Sequence, residues 1–296
     1  MQRIVVGVDG SVESLAAVAW AWREAQLRNA TLDVVHAWSY PVGTYIDGLT
    51  PVPSFGRPQF IDIATQVLNE ACEGFDNSGV DLHRFVEEGP AAGCLLERAR
   101  GATMLVVGSR GRGGFAGLLL GSVSQQCAHH ACGPVVIVRD ARIAPEGERF
   151  GRIVVGVDGS EGAGAALRWA LDESARREGS DVVAVMAWGT LDQHHADGDE
   201  IEAHYGPKQA REALRFFVEQ AVGVDDAPKV DLEPVNDSPA PGLIGAATGA
   251  DLLVVGARGI GGFRSLLLGS VSQQCSHHAP CPIAIVRTGP EDERED

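Results

Sequence analysis

The chain has 296 residues, 45% of them apolar, and its 24 Lys+Arg stand against 40 Asp+Glu for a net charge of −16. That length suits two domains of ordinary size, each able to bury a core. The acidic surface repels polyanions and speaks against nucleic-acid binding, and no apolar run reaches the roughly eighteen residues of a membrane helix.

In chain order, RIVVGVD (3–9) reads as a strand buried on both faces. SVESLAAVAWAWREAQLR (11–28) follows as a helix whose Leu15, Val18, Ala19 and Trp22 recur at helical spacing. Strand TLDVVHAW (31–38) and a Pro-rich loop (39–58) come next. Helix FIDIATQVLNEACEGF, strand VDLHRFVEE, helix AAGCLLERARG and strand TMLVVG then bring the chain to a glycine-rich loop. Helix SVSQQCAHHA and strand PVVIVR complete the first copy. A second copy repeats the order, with RIVVGVD, DVVAVMAW, KVDLEPV, DLLVVG and PIAIVR as strands. Continuous β-branched strands alternating with helices predict a parallel sheet covered on both sides, hence two doubly wound α/β domains.

The duplication is close. RIVVGVDGS occurs at 3–11 and unchanged at 152–160, and residues 106–139 match 254–287 at 25 of 34 positions without a gap. A period of this size is a repeated domain, not a solenoid. The domains are expected at 1–140 and 152–288, with a linker at 141–151 and a solvated acidic tail at 289–296. The second half is the more negative, with 12 basic residues against 24 acidic, where residues 1–150 have 12 against 16.

In open α/β sheets ligands sit beyond the carboxyl ends of the strands. There the chain places Gly108-x2-Gly111-x9-Gly121-Ser122 and, again, Gly256-x2-Gly259-x9-Gly269-Ser270. No GxxxxGK(S/T) exists, the first copy has no lysine, and the first turn lacks GxGxxG. Gly108 and Gly256 are expected to let a ribose or phosphate approach the backbone, and Gly111 and Gly259 to turn the chain with positive φ. Gly121-Ser122 and Gly269-Ser270 stand at a helix start, whose free amides favour an anion. The amides of Ser122, Val123 and Ser124, and of Ser270, Val271 and Ser272, are the candidate donors, with the serine hydroxyls beside them. Arg110 and Arg112 lie near in the first copy, and Arg258 in the second. Ser122-x-x-Gln125 and Ser270-x-x-Gln273 are also capping boxes, so each serine could simply start its helix. The doubled spacing favours nucleotide binding.

These residues resemble the universal stress proteins of the ATP-binding type in tandem two-domain form. The resemblance rests on VVGVDGS, the G-x2-G-x9-G-(S/T) loop and the HHAxxPVxIVR-like endings, and it covers nearly the whole chain. It implies an open five-stranded sheet of order 3-2-1-4-5 in each lobe. It also implies ATP in each lobe, its phosphates on the fourth-strand loop, and it leaves a magnesium ion alongside the triphosphate open. Gly7 and Asp9, with Gly156 and Asp158, would line the nucleoside side, and Ala37 and Ala187 would meet adenine through their backbone. The lobes depart at one position, where Ile260 stands opposite Arg112. If Arg112 touches a phosphate, the second site is weaker.

Other chemistry is less well supported. Cys127 and Cys132 are five apart on an expected helix and point about 140° apart, which disfavours a metal site in CAHHAC. Asp9 and Asp158 before Gly-Ser are also ordinary turn residues. No G-x-S-x-G elbow or defensible triad is present, so no catalytic residue is assigned. A slow ATPase, an autophosphorylating enzyme and a nucleotide-free interaction module stand as alternatives. MQRIVVGVDG lacks the order of a signal peptide, and the six cysteines show no disulfide framework, so the expected location is the cytoplasm. PVVIVR and PIAIVR are apolar edge strands, through which the lobes are expected to pack, with the whole chain forming a homodimer. Protein partners are not legible.

Overall fold

The computed structural model describes residues 2–39, 57–75, 79–113, 119–139, 151–177, 180–188, 206–226, 229–260 and 267–288. Most of the Pro-rich loop, the linker up to residue 150 and the acidic tail lie outside the described residues.

The first lobe runs β1 (Arg3–Gly7), α1 (Val12–Arg28), β2 (Thr31–Trp38), α2 (Arg57–Cys72), β3 (Leu82–Glu88), α3 (Ala91–Arg98), β4 (Met104–Gly108), α4 (Ser122–His130) and β5 (Val135–Val138). The second repeats it with β6 (Arg152–Gly156), α5 (Glu161–Arg176), β7 (Asp181–Trp188), α6 (Pro207–Val222), β8 (Val230–Asn236), α7 (Pro239–Ala246), β9 (Leu252–Gly256), α8 (Ser270–His278) and β10 (Ile283–Val286). Each lobe has the expected strand order 3-2-1-4-5, and β5 pairs antiparallel with β10, giving one ten-stranded sheet, β3-β2-β1-β4-β5-β10-β9-β6-β7-β8. The lobes therefore join through their last strands, as the apolar edges predict.

Side chains on a strand alternate faces, so a run buried throughout must be covered twice. Ile4 and Val6 pack with α1 and α2, whereas Val5 packs with α3 and α4. Both apolar layers continue across β5 and β10 into the second lobe. The buried stripe of α1 differs from the expected one. Ser14, Ala17, Val18, Ala21 and Ala25 face inward, while Leu15 is 41% exposed. The alanines let the helix axis approach the sheet, and Leu15 would not fit that gap. Helix α2 begins at Arg57, inside the stretch expected as loop, because a proline in the first helical turn loses no intrahelical bond.

At the seam between lobes, α1 and α5 meet through four buried charges. Arg28 pairs with Glu24 and with Glu173, and Arg177 pairs with Glu173 and with Glu24. Every side chain of this ring is 5% exposed or less. Removing one member would strand a buried charge, at a cost of about 3–5 kcal/mol.

Candidate functional site

Because β1 and β4 are neighbours, their carboxyl ends deliver two loops to the same edge, and β6 and β9 do so in the second lobe. Gly108 and Gly256 close β4 and β9. A Cβ on Gly108 would lie 2.7 Å from the backbone carbon of Glu13, and one on Gly256 would lie 2.6 Å from that of Gly162. Their lack of a side chain therefore lets the first helix of each lobe close on the fourth strand; the approach expected for a ribose is taken by α1 and α5. Gly7 and Gly156 likewise make room for Leu95 of α3 and Leu243 of α7.

Gly111 and Gly259 do not have the positive φ expected of them; in this region that conformation belongs to Gly10 and Gly159. A Cβ on Gly111 would overlap the Oδ2 of Asp9, and one on Gly259 that of Asp158. These glycines are needed so that a carboxylate can cross to the loop. Asp9 Oδ2 accepts from the Arg112 amide at 2.8 Å, and Asp158 Oδ2 from the Ile260 amide at 3.0 Å. The Oδ1 of each accepts from the amide and hydroxyl of Ser11 or Ser160, at 3.0 and 2.6 Å in both lobes. The same serines cap α1 and α5, accepting from the amides of Ser14 and Ala163. Burial pushes the Asp9 carboxyl up, but the bonds from Ser11, Arg112 and Ser14 outweigh it and hold its pKa below the ordinary value.

The helices α4 and α8 start alike, without a side-chain cap. Gly121 and Gly269 are the N-caps, so Ser122 and Ser270 occupy the first helical position and the expected serine capping boxes do not form. The first intrahelical bonds run from Gln125 to Gly121 and from Gln273 to Gly269, both at 2.9 Å. The amides of Ser122, Val123 and Ser124, and of Ser270, Val271 and Ser272, precede that bond and point out of the helix. The Ser124 hydroxyl is committed elsewhere, donating to the Gly108 carbonyl at 2.5 Å, as Ser272 donates to Gly256 at 2.6 Å. Both hydroxyls therefore pin the helix to its strand. Ser122 and Ser270 are exposed.

The arginines divide the lobes. Arg110 places Nε and Nη2 on Glu13 Oε1, at 3.1 and 2.8 Å, and Arg112 donates to the Gly10 carbonyl at 3.1 Å. In the second lobe Ile260 is 71% exposed, and the Phe217 ring covers Gly159 where the Arg112 guanidinium covers Gly10. A cavity of about 380 Å³ lies there between α5 and α6, lined in part by Gly159, Ser160, Arg168, Phe216 and Phe217. Ala37 and Ala187 sit near the carboxyl ends of β2 and β7, paired with Glu87 and Val235. His36 Nδ1 lies 2.7 Å from the Val8 carbonyl, tying the tips of β1 and β2 together.

Two further arginines, Arg139 and Arg287, escaped the sequence reading. Burial, then the charge of Arg110, lowers the pKa of the Arg139 guanidinium; burial, then Arg258, lowers that of Arg287. Each lobe thus sets two like charges near enough to repel beside its helix start. The available signal was their identical place at the end of PVVIVR and PIAIVR.

Comparison with known proteins agrees with this architecture. The model of the universal stress protein family matches residues 1–139 and 149–287. A universal stress protein of Mycolicibacterium smegmatis is 34% identical over 291 residues, covering 96% of each chain. One from Mycobacterium tuberculosis is 33% identical over 295 residues, again covering 96% of each. The crystal structure of a universal stress protein from Archaeoglobus fulgidus superposes with a TM-score of 0.71 at 19% identity, over 97% of this chain and 98% of the other.

Proposed function

The chain belongs to the universal stress protein family, and on that premise we propose that it is an ATP-binding regulatory protein of the stress response with one nucleotide site in each lobe. The observation that carries this reading is the pair of glycine-capped helix starts, each offering three outward amides at the strand tips. Phosphates would lie on Ser122–Ser124 and Ser270–Ser272. Ribose and adenine would extend toward Asp9 and Ala37, or Asp158 and Ala187. Both oxygens of Asp9 and of Asp158 already accept hydrogen bonds, so a magnesium ion would be held chiefly by phosphate oxygens and water. Binding would stiffen the fourth-strand loop and alter the surface shown to protein partners.

Isothermal titration with ATP tests the reading. A Gly121→Glu/Gly269→Glu double variant places a carboxylate against each phosphate, and affinity should fall at least ~100-fold. Unchanged affinity would sink it. We also propose a cytoplasmic location, which cell fractionation tests; among the described residues no helix is long and apolar enough to cross a membrane. We read the whole chain as a homodimer. Since β5 and β10 pair with each other, a dimer must use other surfaces, and light scattering at micromolar concentration decides it.

A further inference from the structure

Arg139 and Arg287 each touch both lobes. Arg139 follows β5 and donates through Nη1 to the Leu119 carbonyl at 3.4 Å, on its own lobe's loop two residues before Gly121. Its Nη2 donates to the Ser276 carbonyl, in the last turn of α8 in the other lobe. Arg287 mirrors it. Nη1 donates to Leu267 at 3.1 Å, and Nη2 reaches the Ala128 and His129 carbonyls of α4 at 2.5 and 2.8 Å. The helix gripped at its C-terminus by one lobe's arginine is therefore the helix whose N-terminus forms the other lobe's phosphate site.

We propose that Arg139 and Arg287 are positioning residues that couple the two nucleotide sites, so that occupancy of one raises the affinity of the other. The inference rests on the nucleotide reading above. An anion in the first lobe offsets the repulsion between Arg110 and Arg139 and fixes the loop carbonyl that Arg139 holds. The guanidinium is then kept against the end of α8. A cation at a helix C-terminus and an anion at its N-terminus both run with the helix dipole, so each favours the other. Arg287 and α4 complete the return path, and the coupling of binding affinities is reciprocal by thermodynamic necessity. Couplings of this kind span about 5- to 150-fold, and two hydrogen-bonded links place this one near the lower end, about fivefold.

Calorimetric titration of the full chain with ATP is the test. In the unaltered protein the second equivalent should bind about fivefold more tightly than two independent sites allow. In Arg139→Gln/Arg287→Gln the two sites should titrate independently. A purely structural role would lower both affinities, or the melting temperature, and leave the ratio untouched. A second measurement keeps both arginines: with the second site blocked by Gly269→Leu, ATP should slow amide hydrogen exchange in the last turn of α8. Protection confined to the first lobe, or independent sites in the unaltered protein, overturns the coupling alone. Absence of ATP binding at either site overturns the coupling and the nucleotide reading together.

Discussion

The glycine-rich loops of the two lobes share their skeleton and differ in their charge. In both, an aspartate at the tip of the first strand accepts the amide of the residue after the second loop glycine. In both, a serine hydroxyl ties the following helix to the fourth strand. Around the first loop stand Glu13, Ser14 and Arg112; the second lobe has Gly162, Ala163 and Ile260 at those places. The first loop is strapped to its neighbouring turn by Arg110 on Glu13 and Arg112 on Gly10, whereas in the second lobe Gly162 brings the turn directly against the Arg258 carbonyl and Phe217 covers Gly159. Backbone geometry was thus kept by duplication while the side chains that set local potential drifted. Two candidate sites with one backbone skeleton need not have one affinity.

The largest expected effect tests the shared skeleton. Gly108→Val and Gly256→Val each force a Cβ into the backbone of α1 or α5, and each should lower stability by about 1–3 kcal/mol, read by thermal or urea unfolding. Equal losses in the two variants confirm that the skeletons are equivalent; a tolerated variant in one lobe breaks the comparison there.

A swap tests the charge difference. Arg112→Ile should weaken the first site roughly tenfold and Ile260→Arg should strengthen the second by a similar factor, the size of one charge-assisted hydrogen bond to phosphate. Calorimetry resolves the two sites, and an Arg112→Ile protein whose first site is unchanged would show that Arg112 stays on Gly10 when ligand binds.

The smallest effect concerns the seam that both lobes share. Burial, then His130 and Arg287, lowers the pKa of His129; burial, then Arg139, His278 and His129, lowers that of His277. A depressed folded pKa means that the unfolded chain binds the extra proton first. The associated stability is complete above pH ~6.5 and is lost as pH falls toward the folded values. The melting temperature should therefore decline on acidification through this window, and His129→Gln/His277→Gln should flatten the decline.

Much of the fold was legible because strands buried on both faces leave continuous β-branched runs that few other structures need. The stripe of α1 was misread by one position, since closeness to the sheet selects alanine over leucine, and apolar periodicity does not register closeness. The glycine-rich loop beyond the fourth strand was legible as a pattern, but not what each of its glycines accommodates. Gly108 and Gly111 are spaced as a ligand loop is spaced, yet the first accommodates a helix backbone and the second a carboxylate. A missing side chain reads the same whichever neighbour requires it. Ser124 looked like a ligand donor because the carbonyl that takes its hydrogen, that of Gly108, is sixteen residues away. Arg139 was invisible for the same reason, with its second acceptor 137 residues distant.

The four-charge ring between α1 and α5 has an implication for ancestry. Glu24 and Arg28 match Glu173 and Arg177 in the repeat, so each half carries both the acid and the base that its counterpart requires. A severed half would hold a complete lock and its own key, together with one bare strand to zip against a twin. Covalent fusion would then have replaced a meeting that depends on abundance with one that does not, and so freed the halves to become unlike.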